Sequence, residues 1–200
     1  MSSPILDARL HPPFLRHNLT LRPHLYKYLS DGLANRHRLL LICAPAGYGK
    51  TTLLAGWSAV CGLPVAWLSL EEADGDPVQF AIAVTAALQS ILPDFGATLL
   101  SRLQTNAGAA GDDRSSVAAL ATGLAADLTP RPPCLLVLDD YHLAATPPVN
   151  DIVQTLLAQA PALTIAITSR TAPALALPRL RLRHQLTEVT AAELRFAPDE

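Results

Sequence analysis

The sequence predicts an α/β fold, a three-layer α/β/α sandwich with a mostly parallel central sheet, and three observations carry that expectation. Short apolar runs alternate with amphipathic helical stretches along the chain, the order of right-handed βαβ units. The runs are unbroken rather than alternating, as in Leu39–Cys43 and Cys134–Leu138, which suits strands covered by helices on both faces. A glycine-containing loop, Ala44-Pro45-Ala46-Gly47-Tyr48-Gly49-Lys50-Thr51-Thr52, follows the first run and opens a helical stretch. At 200 residues the chain is long enough for one such domain with its own core.

In chain order, residues 1–20 are rich in proline and histidine and read as an irregular arm. Arg22-Pro23 opens a helix with proline at its first position and Leu25, Leu29 and Leu33 on one face. Leu39–Cys43 is the first strand. The helix after the glycine loop carries Leu53, Leu54, Trp57 and Val60 on one stripe and stops at Gly62. Pro64–Leu70 is the second strand, and Asp76-Pro77 caps a helix with Phe80, Val84, Leu88 and Ile91 inward. A less defined helix around Ala97–Leu103 leads into a small, polar loop, Gln104–Asp113, and Ser115 or Ser116 caps the helix of Val117, Leu120, Leu124 and Leu128. Cys134–Leu138 is the third strand, followed by the helix of Val149, Ile152, Val153 and Leu156. Leu163–Ile167 is the fourth strand and Leu186–Val189 a fifth. Arg179, Arg181 and Arg183 alternate with Leu180 and Leu182, which reads as an extended piece with one basic, solvated or domain-facing edge.

Bulk properties narrow the function. Fifteen Lys+Arg against seventeen Asp+Glu give a formal charge of −2, so there is no basic field of the kind that drives nucleic-acid binding. No apolar run approaches the ~18 residues needed to cross a bilayer, and the N-terminus has no charged region followed by an apolar one. Cys43, Cys61 and Cys134 lie in or beside apolar segments without metal-type spacing and read as reduced, buried thiols. The expectation is a soluble cytoplasmic protein.

Strand, glycine loop and helix in that order form a cradle for nucleotide phosphates. Glycines let the loop curl so that backbone N–H groups point inward at phosphate oxygens, and the helix adds its positive end. Lys50 is expected to reach the β/γ-phosphates and Thr51 to ligate Mg²⁺. Ala44 stands where the strict pattern has its first glycine, which alanine fits if φ stays negative. Lys50 is one of only two lysines, the other being Lys27, which agrees with a site that needs a compact point charge. Asp139-Asp140 at the third strand's end supply the second half: Asp139 for the metal, Asp140 to orient or deprotonate the attacking water. The plainer reading of Asp140 is a turn cap for the His142 loop. Arg170, after the fourth strand, is a candidate γ-phosphate contact, or a surface arginine. Glu71, Glu72 and Asp74 read as a solvated loop, and His142, which follows the acids and could sense the site, reads first as a loop histidine.

Arg22-Pro23, the glycine loop with its Tyr48, the stretch Val65-Ala66-Trp67-Leu68-Ser69-Leu70, Asp76-Pro77-Val78-Gln79-Phe80, Leu136-Val137-Leu138-Asp139-Asp140-Tyr141-His142 and Thr168-Ser169-Arg170 together resemble one family. It is the N-terminal ATPase module of the MalT-like, LuxR-type transcriptional regulators, a branch of the signal-transduction (STAND) P-loop NTPases. The similarity runs from about Leu21 to the C-terminus. The resemblance implies an ATP/ADP switch in which ADP favours a resting form and ATP plus an inducer an oligomeric one. It also implies that the Arg170 strand lies between those of Lys50 and Asp139, and that Arg22 sits near the adenine. On this reading residues 1–37 are an arm and helix near the adenine site, 38–190 the P-loop NTPase domain, and 191–200 the start of a following helical or winged-helix region.

Ala197-Pro198-Asp199-Glu200 resembles a helix start with nothing after it, so a fragment or truncated form of a longer regulator is expected. Its partners are then nucleotide, and self-association or further domains in the full-length form, with no membrane and no direct nucleic-acid contact. The function expected is that of a slowly hydrolysing ATP switch with Mg²⁺. The alternative is a small-molecule kinase or other metabolic NTPase on the same fold. That would need an arginine-bearing lid, and Gln104–Asp113 contains no arginine.

Overall fold

In the computed structural model, residues 8–15, 22–96 and 113–195 are described. Among them, five strands form one sheet: β1 (Leu39–Cys43), β2 (Val65–Ser69), β3 (Cys134–Asp139), β4 (Leu163–Ser169) and β5 (Leu186–Thr190). The spatial order is β2-β3-β4-β1-β5, and every pair is parallel. The helices are α1 (Pro23–Ala34), α2 (Lys50–Ser58), α3 (Pro77–Gln89), α4 (Asp113–Leu128), α5 (Pro147–Gln159), α6 (Leu177–Leu182) and α7 (Ala191–Leu194), with 3₁₀ turns at Glu72–Gly75 and Tyr141–Leu143.

The unbroken apolar runs become strands buried on both faces. Successive side chains point to opposite sides, so Leu39, Leu41, Leu136 and Leu138 join one layer while Leu40, Ile42, Leu135 and Val137 join the other. The first layer is closed by Phe80, Val84 and Leu88 of α3, Leu120, Leu124 and Leu128 of α4, and Ile152, Val153 and Leu156 of α5. The second is closed by Leu25 and Leu29 of α1 and by Leu53, Leu54 and Trp57 of α2. Each such side chain taken fully out of water contributes about 1.5–3 kcal/mol. An exposed ion pair such as Lys27–Asp31 contributes about 0–1 kcal/mol. The sandwich is therefore held by its two apolar layers.

β4 lies between β1 and β3, as the family resemblance implies for the Arg170 strand. The carboxyl ends of β1, β3 and β4 are thus neighbours, and that edge is where open α/β sheets hold ligands. Buried polar groups brace the frame elsewhere. Arg38 donates to the carbonyls of Leu156, Leu157, Ala160 and Pro161 at the end of α5, satisfying carbonyls that a helix end leaves open. Tyr141 Oη donates to Asn150 Oδ1 at 2.7 Å. The Asp76 carboxylate caps α3 by accepting from the N–H groups of Val78 and Gln79.

Several details differ from the sequence expectation. Helix α2 ends at Ser58, so Val60 lies past the stripe and is 68% exposed. Ile91 follows α3 rather than belonging to it, and is only partly buried against the layer. Helix α4 begins at Asp113, which puts Ser115 and Ser116 inside its first turn rather than at its cap. Asp74 is not solvated. It is 3% exposed, pairs with Arg9, and accepts from the Glu71 N–H. Arg9 also donates to the Ser69 carbonyl, so this part of the N-terminal arm is fastened to the loop after β2. Arg179 and Arg181 lie on α6, not on an extended piece, and Arg183 is its C-cap. The Arg181 guanidinium pairs with Glu188 of β5 at 2.6 Å. The i, i+2 alternation of Leu and Arg over so short a stretch did not separate strand from helix. The helix expected around Ala97–Leu103, most of the Gln104–Asp113 loop and the helix start at Ala197-Pro198 lie outside the described residues.

Gly32 gives a test of how tightly α1 lies on the sheet. A Cβ there would overlap Thr187 Oγ1, and Thr187 is 1% exposed in β5. Alanine favours a helix over glycine by about 1 kcal/mol, but overpacking costs about 1–3 kcal/mol. Gly32→Ala is therefore expected to lower stability by about 1 kcal/mol or more in urea denaturation, against the helix-propensity trend.

Candidate functional site

The glycine loop continues β1 without a break. The Ala44 N–H donates to the Ser169 carbonyl of β4 at 3.2 Å, and Ala44 is not among the residues with positive φ. Alanine therefore serves where the strict pattern has glycine. Gly47 and Gly49 do take positive φ, +82° and +74°, with nothing within 4 Å of a Cβ added at either. Backbone conformation, not lack of room, is what calls for glycine at both. Pro45, Ala46, Gly47 and Gly49 are exposed, and Tyr48 is partly buried against the α1/α2 layer. Gly49 is the N-cap of α2 and supplies no side-chain cap, so Lys50, Thr51 and Thr52 form a first turn with open N–H groups. Such a turn is suited to an anion. Lys50 is 6% exposed and its Nζ donates to the Pro45 carbonyl at 2.9 Å, curling its ammonium into the loop.

Asp139 ends β3 and is 4% exposed. Two hydroxyls converge on one of its oxygens: Thr51 Oγ1 donates to Oδ1 at 2.9 Å, and Thr168 Oγ1 donates to Oδ1 at 2.5 Å. Burial pushes the carboxyl above the usual aspartate range, and the two hydroxyl bonds pull against that shift. The raised value means the folded chain holds this proton more tightly than the unfolded chain does. Its contribution to stability is thus least favourable once pH exceeds that value and the charge is buried. Asp140 follows in the left-handed region, φ 55° and ψ 41°, which aspartate tolerates better than most residues. Its N–H donates to Thr168 Oγ1 at 2.9 Å. Thr168, 0% exposed, therefore accepts from one acid residue and donates to the other.

Arg170 is exposed just past β4, on a turn shaped by Ser169, whose Oγ donates to the Thr171 carbonyl at 2.6 Å. Its charge, with that of Lys50, is felt at the His142 ring. Arg22 has a different setting. Its guanidinium donates to the carbonyls of Leu194, Glu193 and Arg195 at 2.8, 3.0 and 3.0 Å, at the end of α7. The structure thus gathers the loop, Lys50, Thr51, Asp139 and Asp140 at one edge of the sheet, with Arg170 nearby, while the Arg22 side chain clasps α7. Among the described residues no group of three or more His, Cys, Asp or Glu is arranged to hold a metal. Of the three cysteines read as buried, Cys134 is, and burial pushes its thiol up to about 11, as befits an inert core cysteine. Cys43, at the end of β1, and Cys61, past the end of α2, are only half-buried.

Comparison with known proteins agrees with this geometry. No family model matches the chain. The HTH-type transcriptional regulator MalT of Klebsiella pneumoniae is 33% identical over 198 residues, which are 98% of this chain and 21% of that protein. The MalT of Yersinia enterocolitica is 36% identical over the same share of each. The chain belongs to the family of the MalT-like transcriptional regulators. It spans about a fifth of the length of those curated relatives. A solved structure of Drosophila ORC bound to AT-rich DNA and Cdc6 superposes with a TM-score of 0.50 at 11% identity. The match covers 84% of this chain and 52% of that one, and it shows the fold alone. No helix among the described residues of this MalT-like module is long and apolar enough to cross a membrane.

Thr168 is the residue that sequence reasoning did not single out. The string Thr168-Ser169-Arg170 was visible, but only the register of β4 on β3, with Leu138 opposite Ile167, brings Thr168 beside Asp139. Two substitutions test the arrangement. Thr168→Val leaves the Asp140 N–H and the buried Asp139 each short of a partner, and is expected to cost about 1–3 kcal/mol in urea denaturation, with Thr168→Ser close to wild type. Asp139→Asn keeps an oxygen for both hydroxyls and removes the buried charge. It is expected to raise the melting temperature of the nucleotide-free MalT-like module by about 2–4 °C, measured by scanning calorimetry.

Proposed function

We propose that this chain is the nucleotide-switch module of a signal-responsive transcriptional regulator, binding ATP or ADP and hydrolysing ATP slowly. The observation that carries the reading is the union of Thr51, Asp139 and Thr168 in one hydrogen-bonded group beside a glycine loop and an open helix turn. In this reading the N–H groups of Gly47 to Thr52 and the Lys50 ammonium hold the phosphate chain, with Ala44, Pro45, Ala46 and Tyr48 shaping the loop. The Arg22 segment flanks the adenine.

The donor set fits Mg²⁺. Thr51 spends its proton on Asp139, which leaves its oxygen lone pairs for a cation, and Asp139 is a buried carboxylate that a cation would compensate. Both are hard oxygen ligands, and Mg²⁺ needs few from protein because it keeps waters and phosphate oxygens. Bound there, the ion would offset charge on the β- and γ-phosphates.

Asp140 is the base. It takes a proton from the water that adds to the γ-phosphorus as the β–γ bridging P–O bond breaks, so ADP and inorganic phosphate leave. Arg170 and Lys50 meet the γ-phosphate and lose that contact once it departs. Those contacts make ATP and ADP differ in affinity for two conformations, and only such a difference shifts their populations. The similarity to HTH-type regulators is what links the switch to transcription. Self-association, or docking onto further domains of such a regulator, would be its output.

The test is nucleotide binding by calorimetry, with and without Mg²⁺, followed by phosphate release. The chain is expected to bind ATP and ADP and to release phosphate slowly. Lys50→Ala is expected to weaken binding about 10- to 100-fold, since a charge-assisted hydrogen bond is worth about 1.5–3 kcal/mol. A folded chain that binds no purine nucleotide, or that transfers phosphate rapidly to a metabolite, would overturn the reading.

A further inference from the structure

His142 lies in the turn after the acid pair, and its environment is unusual for a loop histidine. The side chain is 14% exposed, and both ring nitrogens are buried without a hydrogen-bond partner. Buried polar atoms are nearly always paired, and an unpaired one asks for an explanation. The Nδ1 atom is 3.8 Å from Asp140 Oδ1, too far for a hydrogen bond and about one ångström from making one. Asp140 is the freer partner. Its side chain is 40% exposed, and no group among the described residues hydrogen-bonds its carboxylate. The charges felt at the ring are those of the acids Asp140 and Asp139 and of the bases Arg170 and Lys50, the same groups that gather at the candidate phosphate site.

We infer that His142 is the positioning residue for Asp140: its Nδ1–H donates to the Asp140 carboxylate when nucleotide fills the site, aiming the other carboxylate oxygen at the attacking water. The inference rests on the proposed nucleotide function and deepens it. Burial holds the imidazole below its ordinary pKa, against the pull of Asp140, so at neutral pH the ring is neutral and has one N–H to give. That hydrogen bond satisfies Nδ1 and fixes a carboxylate that otherwise samples several rotamers. The pair is then closed with nucleotide and open without it, which makes the base competent only when there is something to hydrolyse.

The experiment compares wild type with His142→Asn, His142→Gln and His142→Leu. Asparagine places an amide N–H at the Nδ1 position, glutamine places one at Nε2, and leucine supplies none. ATP affinity is expected to stay within about twofold in all three, a difference of about 0.4 kcal/mol. Phosphate release is expected to fall about tenfold in His142→Leu and His142→Gln, and to recover in His142→Asn. A second readout needs no turnover. With Mg²⁺ and a non-hydrolysable ATP analogue, ¹⁵N-labelled chain should show a His142 Nδ1–H proton slow to exchange with water, and Asp140→Ala should lose it. Equal release rates in all variants, rescue by glutamine alone, or no protected Nδ1–H in nucleotide-bound chain would overturn the inference and leave the nucleotide function standing. Failure of wild type to bind nucleotide in the first titration would instead overturn the function on which it rests.

Discussion

A single carboxylate taken out of water governs this edge of the molecule. Asp139 is almost fully buried, and two threonine hydroxyls, Thr51 from the first turn of α2 and Thr168 from β4, meet on one of its oxygens. Burying a charge is expensive unless it is paired or well bonded, so the first turn of α2 and the end of β4 must both stay in register with β3. The apolar layers on either face make that register rigid. The sandwich is therefore the means by which three chain segments, distant in sequence, agree on the position of one oxygen atom.

The frame was largely legible in the sequence because its signals are local. Leu39–Cys43 is a strand with the bounds expected, and the other four runs are strands whose ends move by one or two residues. Asp76-Pro77 caps a helix as expected, and the Val149, Ile152, Val153 and Leu156 pattern lies on one buried helix face. The glycine loop was equally plain, since its conformation is written into Gly47 and Gly49. Boundaries slipped where local signals were ambiguous. Val60 continued a helical stripe that the chain abandons at Ser58, and the alternating arginines of α6 imitated a strand.

What escaped was pairing between distant residues. Nothing local told that Arg9 would bury Asp74, that Arg181 would turn to Glu188, or that Thr168 would stand between the two acids. Each depends on strand order and register, which a single sequence does not print. His142 is the same case. As a letter it could be a sensor of the site or an ordinary loop histidine, and only its buried, unpaired nitrogens beside Asp140 separate the two.

The clasp of Arg22 on the carbonyls of residues 193–195 has a mechanical meaning. Helix α7 is four residues long, too short to persist unaided, so the guanidinium at the head of α1 is part of what keeps it wound. The same α1 is keyed to α2, through the Trp57 Nε1 bond to Ser30 Oγ at 3.0 Å and through Tyr26, whose hydroxyl abuts Gly56. The helix that begins at Lys50, α1 and the backbone around Leu194 are thereby geared together like cogs on one shaft. A tilt of the first has either to break these contacts or to carry the last along with it.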